Sequence, residues 1–172
     1  MANSNNPNGA HPFGPLLRAT PCTSTGTVYP GDFVTSDSSG GVTATSAGAG
    51  NTIRGVALHY ATAGQSVLVA DHPDQEFYLQ AYGNSVSTIA AALNMNCQIK
   101  ATAGNTTYKM SRMSFDDSTL ATNSNYQLKV MRVLQDVDAK TPGLDSISAG
   151  GYWQAVVRIN THQLQSAGIV GV

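Results

Sequence analysis

Short apolar runs that alternate with polar positions recur along this chain, and Ser, Thr, Asn and Gly separate them. A period of two residues is typical of a half-buried strand. The alternation is clearest in 53–60, where Val56 and Leu58 share one face, and in 153–160, where Val157 and Ile159 do. Further strands are predicted at 33–35, 42–45, 65–70, 75–81, 97–101, 108–115 and 126–135.

Turn residues punctuate these strands and predict antiparallel hairpins. Turns are expected at 29–32, 38–41, 61–64, 71–74 and Gly104-Asn105, where Pro, Gly, Asn and Asp favour the required dihedrals. Strands at about 8–12-residue spacing with turns between them favour a barrel or a sandwich. The predicted fold class is therefore all-β, mainly antiparallel, in the form of a β-barrel or β-tulip-like domain.

The period of the apolar positions changes once, in 85–93. Val86, Ile89, Ala90 and Leu93 follow the i, i+3, i+4, i+7 spacing of an amphipathic helix. The prediction is one short α-helix here, which would plug an open end of the barrel.

The two ends of the chain differ from the middle. Residues 1–20 are predicted to form an extended N-terminal arm, 21–164 the β-barrel domain and 165–172 a C-terminal tail, with a long loop at 136–152. Prolines 12 and 15 exclude a regular helix or a central strand from the arm. Its apolar side chains need cover, either from their own domain or from a neighbouring subunit. The predicted attachment residues are Pro12, Phe13, Leu16, Leu17 and Arg18 of the arm and Leu164, Ile169 and Val170 of the tail.

Composition narrows the classes of partner. Of the 172 residues 11% are charged, the net charge is −1 and Glu76 is the single glutamate. Such a chain has no overall positive field that would attract nucleic acid. No apolar run approaches the 18 residues typical of a transmembrane helix, and the N-terminus lacks the features of a secretory signal, so neither a membrane nor export is expected.

Few side chains in this sequence are candidates for catalysis or metal binding. Asp71, His72, Asp74 and Glu76 resemble a metal-ligand set, but an Asp-His-Pro-Asp segment is favoured for turn geometry alone. Adjacent Asp116 and Asp117 would point to opposite faces of a strand, and turn or capping roles are expected for them. The prediction is a protein with no catalytic residues, no metal and no cofactor. A small enzyme using Asp71, His72 and Asp74, or a cysteine, is the alternative.

Cys22 and Cys97 lie in no CxxC or Cys/His spacing, and two reduced thiols are expected, with a disulfide between them as the alternative. The strand arginines, Arg54 among them, are expected to bond backbone carbonyls at a barrel mouth or a subunit interface. Six aromatic residues are predicted mostly to face the core, with a carbohydrate-binding face as the alternative: Tyr60, Tyr78, Tyr82, Tyr108, Tyr126 and Trp153.

Several segments together resemble the tailed-bacteriophage capsid decoration proteins, or structural cement proteins. They are Ile53-Arg54-Gly55-Val56-Ala57, 64–69, 117–122, Gln127-Leu128-Lys129 and 158–164, in that order over about residues 20–165. The resemblance implies a β-barrel or β-tulip domain, commonly a trimer, that binds the exterior of the capsid where major capsid subunits meet. It implies no catalytic residue. Residues 1–20 and the two cysteines match no part of that pattern.

The function expected on this basis is a structural virion protein that stabilises the mature head. It would be made in the host cytoplasm, act on the outside of the capsid and have the major capsid protein as its partner. A receptor- or carbohydrate-binding module of a fibre or spike is the alternative.

Overall fold

The computed structural model describes residues 7–83, 89–134 and 153–165. These residues form eleven strands and one helical turn. In chain order the elements are β1 (His11–Phe13), β2 (Ala19–Thr23), β3 (Phe33–Ser36), β4 (Val42–Ala44), β5 (Gly55–Ala57), β6 (Ser66–Ala70), β7 (Glu76–Gln80), α1 (Ile89–Ala92), β8 (Asn96–Lys100), β9 (Ser114–Ala121), β10 (Leu128–Leu134) and β11 (Gln154–Ile159).

The strands form two antiparallel sheets, which confirms the all-β, antiparallel prediction. One sheet has the order β1-β7-β11-β10-β8-β9 and the other has the order β2-β6-β5-β3-β4. Single parallel bridges bring distant strands of each sheet together at one point, Ser24 with Val42 and Ala81 with Phe115. Within the described ranges these bridges do not extend into runs of paired residues, and neither sheet closes into a barrel.

Two predicted hairpins are confirmed. The turn at 38–41 joins β3 to β4, which pair with Val34 opposite Ala44, and the loop at 61–64 joins β5 to β6. The turn at 29–32 is also present, because the N–H of Asp32 donates to the carbonyl of Tyr29 at 3.0 Å. Local turn chemistry therefore determines these connections.

Two prolines lie on edge strands, as a residue without an N–H requires. Pro12 is in the middle of β1, the edge of the six-stranded sheet, and Pro21 is in the middle of β2, the edge of the other sheet. The described part of the arm thus lies against the body of its own chain, where β1 pairs with β7.

Apolar side chains form two buried clusters. The larger one contains residues of both sheets, and in it the ring of Phe33 meets that of Phe77 edge-on, with the centroids 6.3 Å apart. The smaller one lies on the other face of the five-stranded sheet and comprises Val28, Val34, Val42, Ala57, Ala61, Val67 and Val69. Replacing Phe33 by Ala would cost about 3–5 kcal/mol in stability, because a fully buried ring is lost.

The sheet between these clusters explains why one predicted strand is shorter than expected. The alternation in 53–60 predicts a long strand with one buried face, but β5 covers Gly55–Ala57 only and both of its faces are buried. Val56 packs in the larger cluster and Ala57 in the smaller one. A Cβ on Gly55 would lie 2.2 Å from the carbonyl oxygen of Ala70, so β6 can approach only a glycine at this position.

One strand prediction is wrong. The segment 108–115 is not a strand over most of its length, since β9 begins at Ser114 and residues 106–109 form a turn. The turn expected at Gly104-Asn105 is displaced to these residues. The side-chain Oδ1 of Asn105 accepts hydrogen bonds from the N–H groups of Thr107 and Tyr108, and this local bonding replaces the strand.

The predicted helix at 85–93 is not confirmed, because the described residues contain only the single turn α1 and 84–88 lie outside them. The predicted loop at 136–152 and the tail beyond Gln165 also lie outside them. In the part of the chain that is described, no helix is long and apolar enough to cross a membrane.

Candidate attachment surface

Residues 14–18, which we call the leucine turn, connect the edge strands β1 and β2. Gly14 has φ +76°, a conformation that favours glycine, and Pro15 follows it. The buried side chain of Gln75, 1% exposed, holds both sides of this turn: its Oε1 accepts from the N–H of Leu17 at 2.9 Å and its Nε2 donates to the carbonyl of Phe13 at 3.4 Å. The turn is therefore fixed to the body while its leucines point outward.

Leu16 and Leu17 are 46% and 49% exposed, which is high for side chains of this size. Pro12 and Phe13, which sequence analysis grouped with them, lie differently. Both belong to β1, and the guanidinium of Arg132 lies 5.7 Å from the centroid of the Phe13 ring. The described structure thus divides the arm into a paired strand and an exposed leucine turn.

Arg18 anchors the far side of the turn. Its Nε donates to Oδ1 of Asp71 at 2.7 Å and its Nη2 donates to the carbonyl oxygen of the same residue at 2.6 Å. The hydroxyl of Thr20 also donates to Oδ1, at 3.0 Å, and Nη2 of Arg54 lies 3.5 Å from Oδ2. Asp71 is 1% exposed, and a carboxylate this deeply buried needs such partners.

The start of the tail reaches the same region through Arg54. Nη1 of Arg54 donates to the hydroxyl of Ser36 at 3.2 Å, and the N–H of Ser36 donates to Oε1 of Gln163 at 2.8 Å. Leu164 follows and is 46% exposed. A continuous chain of polar contacts therefore links the leucine turn of the arm to Leu164. Ile169 and Val170, the other predicted tail residues, lie outside the described residues.

We call this chain of contacts, formed by Arg18, Asp71, Arg54, Ser36 and Gln163, the Asp71 junction. Arg54 donates to side chains in it, not to backbone carbonyls as expected. Together with Leu16, Leu17 and Leu164, the Asp71 junction forms the candidate attachment surface.

His162 lies beside the Asp71 junction and is held neutral. Burial, the largest effect, lowers the pKa of His162 from 6.5 to about 4, although the negative charge of Asp71 acts in the opposite direction. Its Nδ1 accepts a hydrogen bond from the N–H of Leu164 at 3.0 Å, so the proton of the neutral ring is on Nε2. That nitrogen is buried and has no hydrogen-bond partner among the described residues.

The four residues that resemble a metal-ligand set do not form one. Asp71 binds two arginines, Asp74 lies 3.5 Å from Nη1 of Arg158, and Nδ1 of His72 accepts from the N–H of Asp74 at 3.2 Å. Across 7–83, 89–134 and 153–165 no three His, Cys, Asp or Glu side chains are grouped as ligands would be. The segment has instead the turn geometry that its sequence favours.

The other candidate reactive groups are separated as well. Cys22 and Cys97 are free, in agreement with the expectation of two thiols. Burial raises the pKa of both, so that neither is readily converted to a thiolate. Asp116 and Asp117 lie on opposite faces of β9, as predicted. The turn or capping role is wrong for Asp117, which is 2% exposed and accepts from Nε1 of Trp153 at 3.1 Å.

Sequence reasoning missed two features. Gln75 is the residue that fixes the arm, but its partners are 58 and 62 positions away, so no local pattern could reveal it. The aromatic residues Tyr82 and Tyr108 were expected in the core yet are 43% and 74% exposed, whereas Trp153 is buried as predicted.

No family model matches this chain, and no curated protein is similar to it. A function is therefore inferred from the residues themselves, and above all from two exposed leucine sites that the Asp71 junction connects.

Proposed function

We propose that this chain is a non-enzymatic structural protein of a virion, which binds the exterior of a tailed-bacteriophage capsid and joins neighbouring major capsid subunits. It acts as a homo-oligomer, most simply a trimer, and stabilises the mature head. It is made in the host cytoplasm, and it needs no metal or cofactor. The sequence resemblance to capsid decoration proteins supports this assignment.

The observation that carries the proposal is the leucine turn of the arm. Gln75 and Asp71 hold Leu16, Leu17 and Arg18 in one conformation while both leucines remain about half exposed. Burial of a leucine contributes about 1.5–3 kcal/mol. Because the turn is already ordered, little conformational entropy is lost when a partner covers it.

The rest of the surface suits a large protein contact. Only 11% of the residues are charged, and the neutral polar residues Ser, Thr, Asn and Gln are frequent along the chain. Neutral polar groups form hydrogen bonds across an interface and incur less desolvation than charges do. Three linked copies would in addition gain about 10²–10⁴ in avidity over a single contact.

A tulip-like or barrel form of the domain is part of the proposal. The apolar cluster on the far face of the five-stranded sheet supports it, since a flat sheet would leave that face in water. The single bridges at Val42 and at Phe115 also support sheets that curl on themselves.

A charge placed on the leucine turn tests the attachment role. In Leu17→Asp the N–H that bonds Gln75 is retained while an exposed apolar side chain becomes anionic. We expect binding to empty shells of the phage's own major capsid protein to weaken at least ~10-fold, because about 1.5–3 kcal/mol of apolar burial is lost. Co-sedimentation over a range of protein concentrations measures this.

Thr122→Asp is the matched control. It adds the same charge at an exposed position after β9, at the edge of the six-stranded sheet opposite β1. Thermal melts verify that both variants are folded. Thr122→Asp should bind shells as tightly as the wild type. If Leu17→Asp does so too, the leucine turn is not an attachment element.

A further inference from the structure

Aromatic, apolar and basic side chains are exposed on the connection between β8 and β9 and just after β7, where the N–H of Tyr82 donates to the carbonyl of Phe115 in β9. Tyr82, Tyr108 and Met110 are 43%, 74% and 42% exposed, and they account for three of the large apolar side chains on the described surface. Three basic residues accompany them. We name Tyr82, Lys100, Tyr108, Lys109, Met110 and Arg112 together the β8–β9 patch.

The patch is rigid. Asn105 and Met110 exchange backbone hydrogen bonds of 2.7 and 3.3 Å, and the N–H of Ser111 donates to the carbonyl of Pro30 at 3.3 Å. Asn105 Oδ1 also fixes the backbone of Tyr108 at 3.0 Å. A side chain as large as Tyr108 is thus presented to solvent on a fixed support, and nothing in the described chain covers it.

The charged side chains that belong to the patch are all basic. No Asp or Glu occurs between Glu76 and Asp116, whereas Lys100, Lys109 and Arg112 lie in that interval. None of these three cations forms a salt bridge with a described residue. Two of them lie over tyrosine rings, with Lys100 Nζ 4.5 Å from the centroid of Tyr82 and Lys109 Nζ 4.7 Å from that of Tyr60.

The next two acids in the sequence, Asp116 and Asp117, form hydrogen bonds with residues outside the patch. Oδ1 of Asp116 accepts from the N–H of Ser118 at 3.1 Å and from its hydroxyl, and Asp117 is buried against Trp153. Asp32, whose carboxylate faces Ser111 beside Arg112, is 2% exposed and accepts from the N–H of Tyr29 at 2.9 Å. Among the described residues, no acid forms a salt bridge with the cations of the patch.

From this composition we infer that the β8–β9 patch is a second docking surface, which binds a protein that presents carboxylates around an apolar depression. Tyr, Met and Arg are enriched at the centres of protein interfaces, and complementary charge guides such partners together. This inference rests on the proposed function for the identity of the partner, which is the major capsid protein.

The two docking surfaces lie at opposite ends of β7. Gln75, which holds the leucine turn, precedes the strand, and Tyr82 follows it shortly after its end. A strand of five residues spans about 16 Å. One molecule can therefore contact two separate sites on a shell, which is the geometry needed to join subunits.

Two other ligand classes fit the patch less well. Nucleic acid binding requires a larger basic surface than three cations on a chain of net charge −1. A neutral carbohydrate would stack on Tyr108 but would not use the cations. An acidic protein surface uses the ring, the thioether and the positive charges together.

Co-sedimentation of Tyr108→Ser/Arg112→Ser with empty shells of the major capsid protein tests the inference. We expect binding to weaken at least ~10-fold relative to the wild type, since loss of an interface anchor commonly costs that much. Its dependence on salt should also decrease because a cation is lost. Tyr108→Phe, which keeps the ring, and Lys129→Ser, which removes a cation on β10, should bind within about twofold of the wild type.

Each other outcome contradicts the inference in a distinct way. If wild type and Tyr108→Ser/Arg112→Ser bind shells equally, the patch is not a docking surface although the proposed function stands. If the wild type does not bind shells at all, the proposed function fails and the assigned partner fails with it. Selective binding to a glycan array or to a single-stranded oligonucleotide that Tyr108→Ser abolishes would assign the patch to that ligand instead.

Discussion

At the scale of single residues, buried polar groups determine how the candidate attachment surface is held. Asp71 and Gln75 are each 1% exposed, and each bonds residues of the arm that are more than 50 positions away. His162, beside them, is buried as a neutral ring. These three residues couple the arm and the start of the tail to the sheets.

Because His162 is buried neutral, acid should weaken the fold. Its pKa is lowered from 6.5 to about 4 in the folded chain, so between these pH values the unfolded chain binds the proton and the folded chain does not. The free energy of unfolding should therefore fall as the pH decreases from 6.5 to 4, by up to about 3 kcal/mol from this group. Denaturant titrations at several pH values measure it.

His162→Asn isolates that contribution. An asparagine Oδ1 can accept from the N–H of Leu164 as Nδ1 does, but it does not titrate. The difference in unfolding free energy between wild type and His162→Asn should therefore change between pH 6.5 and pH 4. A pH-independent difference for His162→Asn would show that the ring is not held neutral.

At the scale of elements, the conformation of the leucine turn depends on the side chain of Gln75, which immediately precedes β7. Gln75→Ala removes the acceptor for Leu17 N–H and the donor for the carbonyls of Phe13 and Glu76. Loss of three partly buried hydrogen bonds at about 1 kcal/mol each should destabilise the fold by up to about 3 kcal/mol. The amide of Leu17 should then exchange with solvent faster than in the wild type, as hydrogen exchange detects.

Gln65→Ala provides the control for this prediction. Gln65 is exposed and its Oε1 accepts only within its own turn, from the N–H of Thr62 at 2.9 Å. A similar loss of stability in Gln65→Ala and Gln75→Ala, or unchanged exchange at Leu17, would mean that Gln75 does not fix the turn.

The elements that could be predicted from sequence are those determined locally. The hairpin β3–β4 follows from turn residues between alternating segments. Pro12 and Pro21 lie on edge strands because proline has no N–H to donate within a sheet. The loop that holds Tyr108 could not be predicted, because its alternation imitates a strand while the side chain of Asn105 bonds the backbone. The short length of β5 could not be predicted either, because residues distant in sequence bury both of its faces.

The candidate site was predictable only in part. Exposed leucines on an arm follow from prolines that keep the segment extended, and Leu16 and Leu17 are indeed exposed. The pairing of Pro12 and Phe13 with β7 and the meeting of Arg18 and Arg54 at Asp71 depend on the tertiary fold. Contacts between positions so far apart in sequence leave no local pattern.

At the scale of the whole molecule, the described structure places the leucine turn and the β8–β9 patch near opposite ends of β7. Two antiparallel sheets share the larger core, so the separation of these surfaces is fixed. A body of this kind, docked at both ends, would resist the movement of capsid subunits relative to one another. This mechanical role is the central claim of the proposed function.

The most direct test is the temperature at which empty shells lose their integrity, followed by calorimetry with and without a saturating amount of the protein. The wild type should raise that temperature, and Leu17→Asp at the same concentration should raise it less, because fewer sites are occupied. Shells that bind the wild type fully yet melt at an unchanged temperature, or that do not bind it, would contradict the account.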